Sequence, residues 1–196
     1  MIPLWIKIAY TLFAVITVAI YAVKYPLGNF LWFSDIALVL TVPALWFESS
    51  LLASMMTIGV LGPELFWNIG FFRRLVTGKR LSGLTDYMFD ARKPRYLRAL
   101  SLFHVFLPVL LLWMVARLGY STKALIAQTV LAWTVLVLTY MTTGPEENIN
   151  WAFGPGSLQQ NRLPSLVYLG LLMIAFPVLV YFPTHLLLQT LFLVKH

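Results

Sequence analysis

Long apolar stretches separated by short polar breaks dominate the chain from its first residues. Crossing a hydrocarbon core takes roughly 20 consecutive apolar residues. The pattern predicts six spans in a single transmembrane domain over residues 1–196: 2–23, 30–47, 51–72, 99–118, 123–143 and 165–182, with 183–196 as a kinked or interfacial tail. The breaks carry stop signals: Lys24-Tyr25-Pro26 closes the first span, Glu48-Ser49-Ser50 the second and Arg73-Arg74 the third. Charge is costly in lipid, and the residue before a proline is pushed out of the helical region. Pro183 predicts a kink at the end of the sixth span. Only 81–98 and 144–164 are long connections, and no fixed period repeats. Met1-Ile2-Pro3-Leu4-Trp5 lacks the basic n-region of a cleaved signal, so the first span reads as a retained helix.

Composition supports this pattern and narrows it. Apolar residues make up 60% of the chain and charged residues 11%, with a mean hydropathy of +0.83. A soluble domain carries about a quarter charged residues. The deficit excludes a soluble enzyme, a disordered tail and a nucleic-acid-binding arm. The expected fold class is an all-α polytopic helical bundle, integral to a bacterial inner membrane or its equivalent. Cysteine is absent, which removes disulfides, thiolate metal sites and cysteine nucleophiles. No motif calls for a cofactor or a metal, membrane lipid is the expected partner, and nothing in the sequence indicates an oligomer or a complex.

The net charge of +7 is unevenly placed. Arg73, Arg74, Lys79, Arg80, Arg92, Lys93, Arg95 and Arg98 share one connection, which the positive-inside rule assigns to the cytoplasm. Threading six spans from there puts Lys24 and Arg162 inside too, leaves Lys7, Arg117, Lys123 and Lys195 outside, and places both termini outside. Tyr87, Met88, Phe89 and Tyr96 interleave with these cations, the composition of a segment lying on anionic headgroups, although a plain basic loop reads equally well.

Ionisable residues within spans are the first candidates for chemistry, because burying them in lipid needs a reason. Asp35, Glu64 and His104 lie on three different spans, yet counting from the basic end puts them about 8, 12 and 8 Å deep at 1.5 Å per residue. Asn68 follows Glu64 by four residues and shares its helix face. Gly59, Gly62 and Pro63 permit close approach and a bend nearby. Pro108 follows His104 by four residues and strips the hydrogen bond from the residue-104 carbonyl, leaving a polar group beside the imidazole. These residues predict one polar pocket in the cytoplasmic-leaflet half. Each also has a plain structural reading: Asp35 paired with a loop arginine, Glu64 locked to Asn68, His104 simply packed. Gln128, Thr134 and Thr139 read as hydrogen-bonding groups between helices. Asn148, Asn150 and Trp151, in a Gly/Pro-rich connection on the same side, are candidates for the pocket's lid.

Several of these stretches resemble one family. Phe30-Leu31-Trp32-Phe33-Ser34-Asp35 resembles the Phe-Leu-Thr-Phe-x-Asp stretch of the androgen-induced-gene family of membrane proteins. Leu61 to Phe72, with Phe66-Trp67, is similar to that family's third apolar span. His104-x-x-x-Pro108 is similar to its His-x-x-x-Leu-Pro region, and Asn150-Trp151-Ala152-Phe153 to its Trp-x-Tyr-Pro turn. The likeness covers roughly residues 28 to 155. It implies a multi-pass bundle that hydrolyses fatty-acid ester lipids with a threonine nucleophile and a histidine. The histidine carries over to His104, while Trp32 occupies the threonine's place. Ser34, two residues on and about 200° round the helix, and Ser101, on the His104 face, are the nearest hydroxyls.

Three functions follow as expectations. One is a lipid-ester hydrolase or acyl-transfer enzyme: His104 is the base, Asp35 orients it and Ser34 supplies the hydroxyl. Glu64, Asn68, Ser101, Asn148, Asn150 and Trp151 line the substrate site, with Glu64 able to share the orienting role and Asn68 to steady an oxyanion. The second is a non-catalytic protein that binds a lipid or quinone, or serves as a subunit of a membrane complex. The third is a proton-coupled transporter in which Asp35, Glu64 and His104 relay protons.

Overall fold

The computed structural model describes residues 1–156 and 160–192. Its regular structure is helical throughout, with no strand among the described residues. Five helical stretches are long and apolar enough to cross a membrane: Leu4–Lys24, Ser50–Thr77, Arg95–Leu118, Ala124–Thr142 and Ser165–Phe192. The remaining expected span is a shorter apolar helix, Phe33–Trp46. We label α1 (Leu4–Lys24), α2 (Phe33–Trp46), α3 (Ser50–Thr77), α4 (Asp86–Phe89), α5 (Arg95–Leu100), α6 (Phe103–Leu118), α7 (Ala124–Thr142), α8 (Ser165–Ala175) and α9 (Phe182–Phe192).

α3 is the hub, packing against α2, α6 and α7. Ser49 opens it, its hydroxyl accepting from the Leu52 N–H at 3.3 Å, a standard N-cap. The helix runs past Arg73-Arg74 to Gly78, whose φ of 69° supplies the left-handed stop. The arginines therefore mark the end of the apolar surface and not the end of the helix, which is why 51–72 was too short. Gly59 lets α7 close on α3: a Cβ there would lie 2.5 Å from the Gln128 amide nitrogen.

Three other boundaries move. A 3-10 turn, Leu27–Leu31, precedes α2, and Trp32 is extended (ψ 133°), so the helix starts at Phe33 and not at residue 30. Asp35 thus stands in the first helical turn, where a carboxylate interacts well with the helix dipole. The fourth stretch starts at Arg95 and breaks at Ser101–Leu102 between α5 and α6. The sixth continues past Pro183 to Phe192 without ending, because a π-helical turn, Phe176–Tyr181, intervenes. The widened turn absorbs the proline ring that would otherwise press on the residue-179 carbonyl. Residues 193–196 of the expected tail and 157–159 of the preceding connection lie outside the described residues.

Candidate functional site

Pro108 makes the site possible. Without a proline N–H, the His104 carbonyl has no partner inside α6. Asn68 of α3 fills the gap: its amide nitrogen donates to the His104 carbonyl at 2.7 Å and to the Glu64 carbonyl at 2.8 Å. Both amide protons of Asn68 are spent on main chain, so it makes no bond to the Glu64 carboxyl and has no proton left for an oxyanion. What it does is hold α6 to α3 at the level where their ionisable side chains meet.

There the Glu64 carboxyl straddles His104 Nδ1, its oxygens 2.8 and 3.0 Å away. The pair is nearly dry, the side chains 3% and 15% exposed for Glu64 and His104. Trp67, one turn from Glu64, stacks on the imidazole with centroids 4.7 Å apart. Phe103 covers the ring at 4.1 Å. A carboxylate only accepts, so an ionised Glu64 fixes the proton on Nδ1 and leaves the Nε2 lone pair outward. Among the described residues Nε2 has no hydrogen-bond partner, and it is not among the fully buried polar atoms.

Asp35 is buried at 6% exposure and accepts from the Asn29 side chain at 3.0 Å. Asp35 lies near enough to His104 and Glu64 to feel their charges, but makes no hydrogen bond to either. The serines expected near the imidazole are elsewhere. Ser101 donates to the Leu97 carbonyl at 3.2 Å and pairs with the Tyr21 hydroxyl at 2.9 Å. Ser34 is half-buried and makes no side-chain hydrogen bond among the described residues.

Two aromatics went unrecognised in the sequence. Trp67 enters the sequence reading only within the apolar Phe66-Trp67 stretch, although it follows Glu64 by three residues and so shares that helix face. Tyr87 comes from the basic connection and brings its phenol to Ser101 and Trp67, near Glu64. Burial pushes that phenol well above the ordinary tyrosine range, so it stays protonated. Two buried donors beside this segment have no acceptor among the described residues: Trp67 Nε1 and Arg98 Nε. Arg98 also donates through Nη1 to the Met88 carbonyl at 3.1 Å.

The connection after α7 is fastened through its asparagines. The Asn148 side chain donates to the Gly154 and Gly156 carbonyls and accepts from the Phe153 N–H. Asn150 reaches across to α2, accepting from Phe33 N–H at 3.1 Å and donating to the Leu31 carbonyl at 2.7 Å. Trp151, at φ 62°, accepts from the Tyr168 hydroxyl through its carbonyl. These groups hold the 144–156 connection against the start of α2, close to Asp35 in sequence.

Of the α7 polar groups, Thr134 bonds back to its own helix at Val130, while Gln128 Oε1 and Thr139 Oγ1 have no partner among the described residues. None of the three bridges helices by a hydrogen bond among the described residues. His185 sits apart, its Nδ1 2.5 Å from the Tyr120 hydroxyl. Among the described residues no group of three or more histidine, aspartate or glutamate side chains is disposed to hold a metal ion. Comparison with family models, with curated proteins and with solved structures returns no match for this chain.

Proposed function

We propose that this chain is a multi-pass membrane protein of six crossings, its Arg73–Arg98 connection facing the cytoplasm, and that the Glu64–His104 pair is the acid–base centre of a lipid-ester hydrolase. One observation carries the reading: a carboxyl group holds Nδ1 while Nε2 is left open and without a protein partner. That is the arrangement a general base needs, with orientation on one nitrogen and reactivity on the other.

No serine hydroxyl bonds to Nε2 among the described residues, so the nucleophile in this reading is water. Nε2 takes a proton from water as its oxygen attacks the ester carbonyl carbon, giving a tetrahedral oxyanion. Collapse breaks the bond to the alcohol oxygen, and the imidazolium returns its proton to that oxygen. The products are a fatty acid and an alcohol. Glu64 balances the imidazolium between the two steps, in a site dry enough for the charge pair to count.

The test is release of free fatty acid from ester lipids by the purified protein in liposomes, comparing wild type with His104→Gln and Glu64→Gln. Release by the wild type that falls at least 100-fold in both variants is expected. Release no greater than that of protein-free liposomes sinks the enzyme. The second reading is a non-catalytic lipid-binding protein, favoured by Ser101, whose hydroxyl is committed to Leu97 and Tyr21 and away from the imidazole.

A further inference from the structure

The stretch from Arg74 to Lys93 folds into an open cleft of about 460 Å³ lined by Arg74, Arg80, Tyr87, Arg92 and Lys93, with Asp86 and Asp90 among them. Its charges do not cancel. Asp86 is shared between Arg74 and Arg80, at 2.5 and 2.6 Å, and Asp90 is taken by Arg92 at 3.0 Å. Lys93 is half-buried without a carboxylate, its ammonium 5.3 Å from the Tyr25 ring centre. Arg98 stands behind the lining, bonded to the Met88 carbonyl, and its buried Nε–H meets no acceptor among the described residues. Half-buried cations and unmet buried donors are costly unless something anionic or acceptor-rich completes them.

Tyr87 joins this cleft to the Glu64–His104 pair. It lines the cleft, and its phenol lies near Ser101 and Trp67, the ring that stacks on His104. Four cations against two carboxylates in the lining select an anion. The location selects its source. α3 has 28 residues, about 42 Å at 1.5 Å per residue, against a hydrocarbon core of roughly 30 Å, so its last turns stand among headgroups.

We propose that this cleft binds the phosphate of an anionic phospholipid, with Lys93 as its uncommitted cation and the acyl ester directed past Tyr87 toward His104. The proposal rests on the hydrolase reading only for calling that lipid the substrate. An anionic phosphodiester is the class of headgroup it takes.

The test is equilibrium binding by the purified full chain in a nonionic detergent, read by tryptophan fluorescence, with phosphatidylglycerol, phosphatidylcholine and inorganic phosphate as separate titrants. Phosphatidylglycerol is expected to saturate the signal, phosphatidylcholine to bind at least about tenfold more weakly, and inorganic phosphate to leave it unchanged. Lys93→Gln should raise the half-saturating phosphatidylglycerol concentration about tenfold, the loss of one charge-assisted contact. Arg117→Gln, whose guanidinium lies over Trp113 near the other end of α6, should leave it unchanged. Equal binding of both lipids, saturation by inorganic phosphate, an unaltered titration in Lys93→Gln, or the same loss in Arg117→Gln would overturn the proposal. The assay needs no turnover: binding without hydrolysis refutes the enzyme alone, and hydrolysis without headgroup preference refutes the cleft alone.

Discussion

Replacing Glu64 and His104 singly and together isolates what the pair contributes. Glu64→Leu leaves the imidazole between Trp67 and Phe103 with Nδ1 unbonded in a nearly dry site. His104→Phe keeps the aromatic stack but strands the Glu64 carboxyl, which is 2% exposed. Breaking a buried pair from one side costs about 3–5 kcal/mol when the survivor stays charged. Either survivor here can shed its charge by releasing or taking a proton, so about 2–4 kcal/mol is expected for each single change. The double variant removes both polar groups and keeps comparable volume, so it should cost clearly less than the sum, with a coupling of about 2 kcal/mol. Unfolding in mixed micelles measures all four corners of the cycle. Single effects that add to within about 0.5 kcal/mol would refute the pairing, and with it the argument that Glu64 fixes the imidazole tautomer.

Three further outcomes follow from particular contacts. Asn68→Leu leaves the His104 carbonyl without a donor and should cost about 2 kcal/mol in the same unfolding assay, whereas Asn68→Gln should recover part of it. Asn150→Ala removes two hydrogen bonds at the start of α2 and places alanine at φ 51°; about 2–3 kcal/mol is expected, with faster amide exchange at Phe33 as its local mark. Glu48 accepts from Lys7 and from the Ile2 N–H, and these bonds hold its carboxyl below the usual range. The carboxylate is thus favoured in the folded state, so its stabilisation is full above the ordinary glutamate range and fades as pH falls beneath it. Protection of the Ile2 amide should therefore fall on acidification, and Glu48→Gln should flatten that dependence.

The sequence made the polar cluster legible because the relevant rules are local. Four-residue spacing put Asn68 on the Glu64 face, and Pro108 flagged the His104 carbonyl. Both inferences need only one helix. Partner choice was harder, because it depends on rotation of one helix about another: Asn68 was matched to the Glu64 side chain and goes to two main-chain carbonyls. Helix ends were misjudged wherever hydropathy and backbone signals part company. Arg73-Arg74 ends an apolar run while Gly78 ends the helix, and Trp32 looks apolar enough to join a span but sits in extended backbone. Tyr87 was invisible as a site residue because it lies on a connection, where neither periodicity nor hydropathy says which way a side chain folds back.

The same division explains how a lipid-like core tolerates so much polarity at one level. Glu64, Asn68 and His104 satisfy one another across two helices: the carboxyl meets the ring nitrogen, and the amide meets the carbonyl that Pro108 exposes. Removing Pro108 would return that carbonyl to its own helix and leave Asn68 with a surplus proton, so the proline and the asparagine act as one unit. What the cluster leaves unsatisfied is Nε2 of His104, which is not fully buried, and beside it the buried N–H groups of Trp67 and Arg98. A purely structural lock has no use for groups left open in this way, since each costs free energy until something binds. An acceptor on one side of His104 and donors along Tyr87 together describe a ligand that brings a proton to be removed and an anionic oxygen to be held.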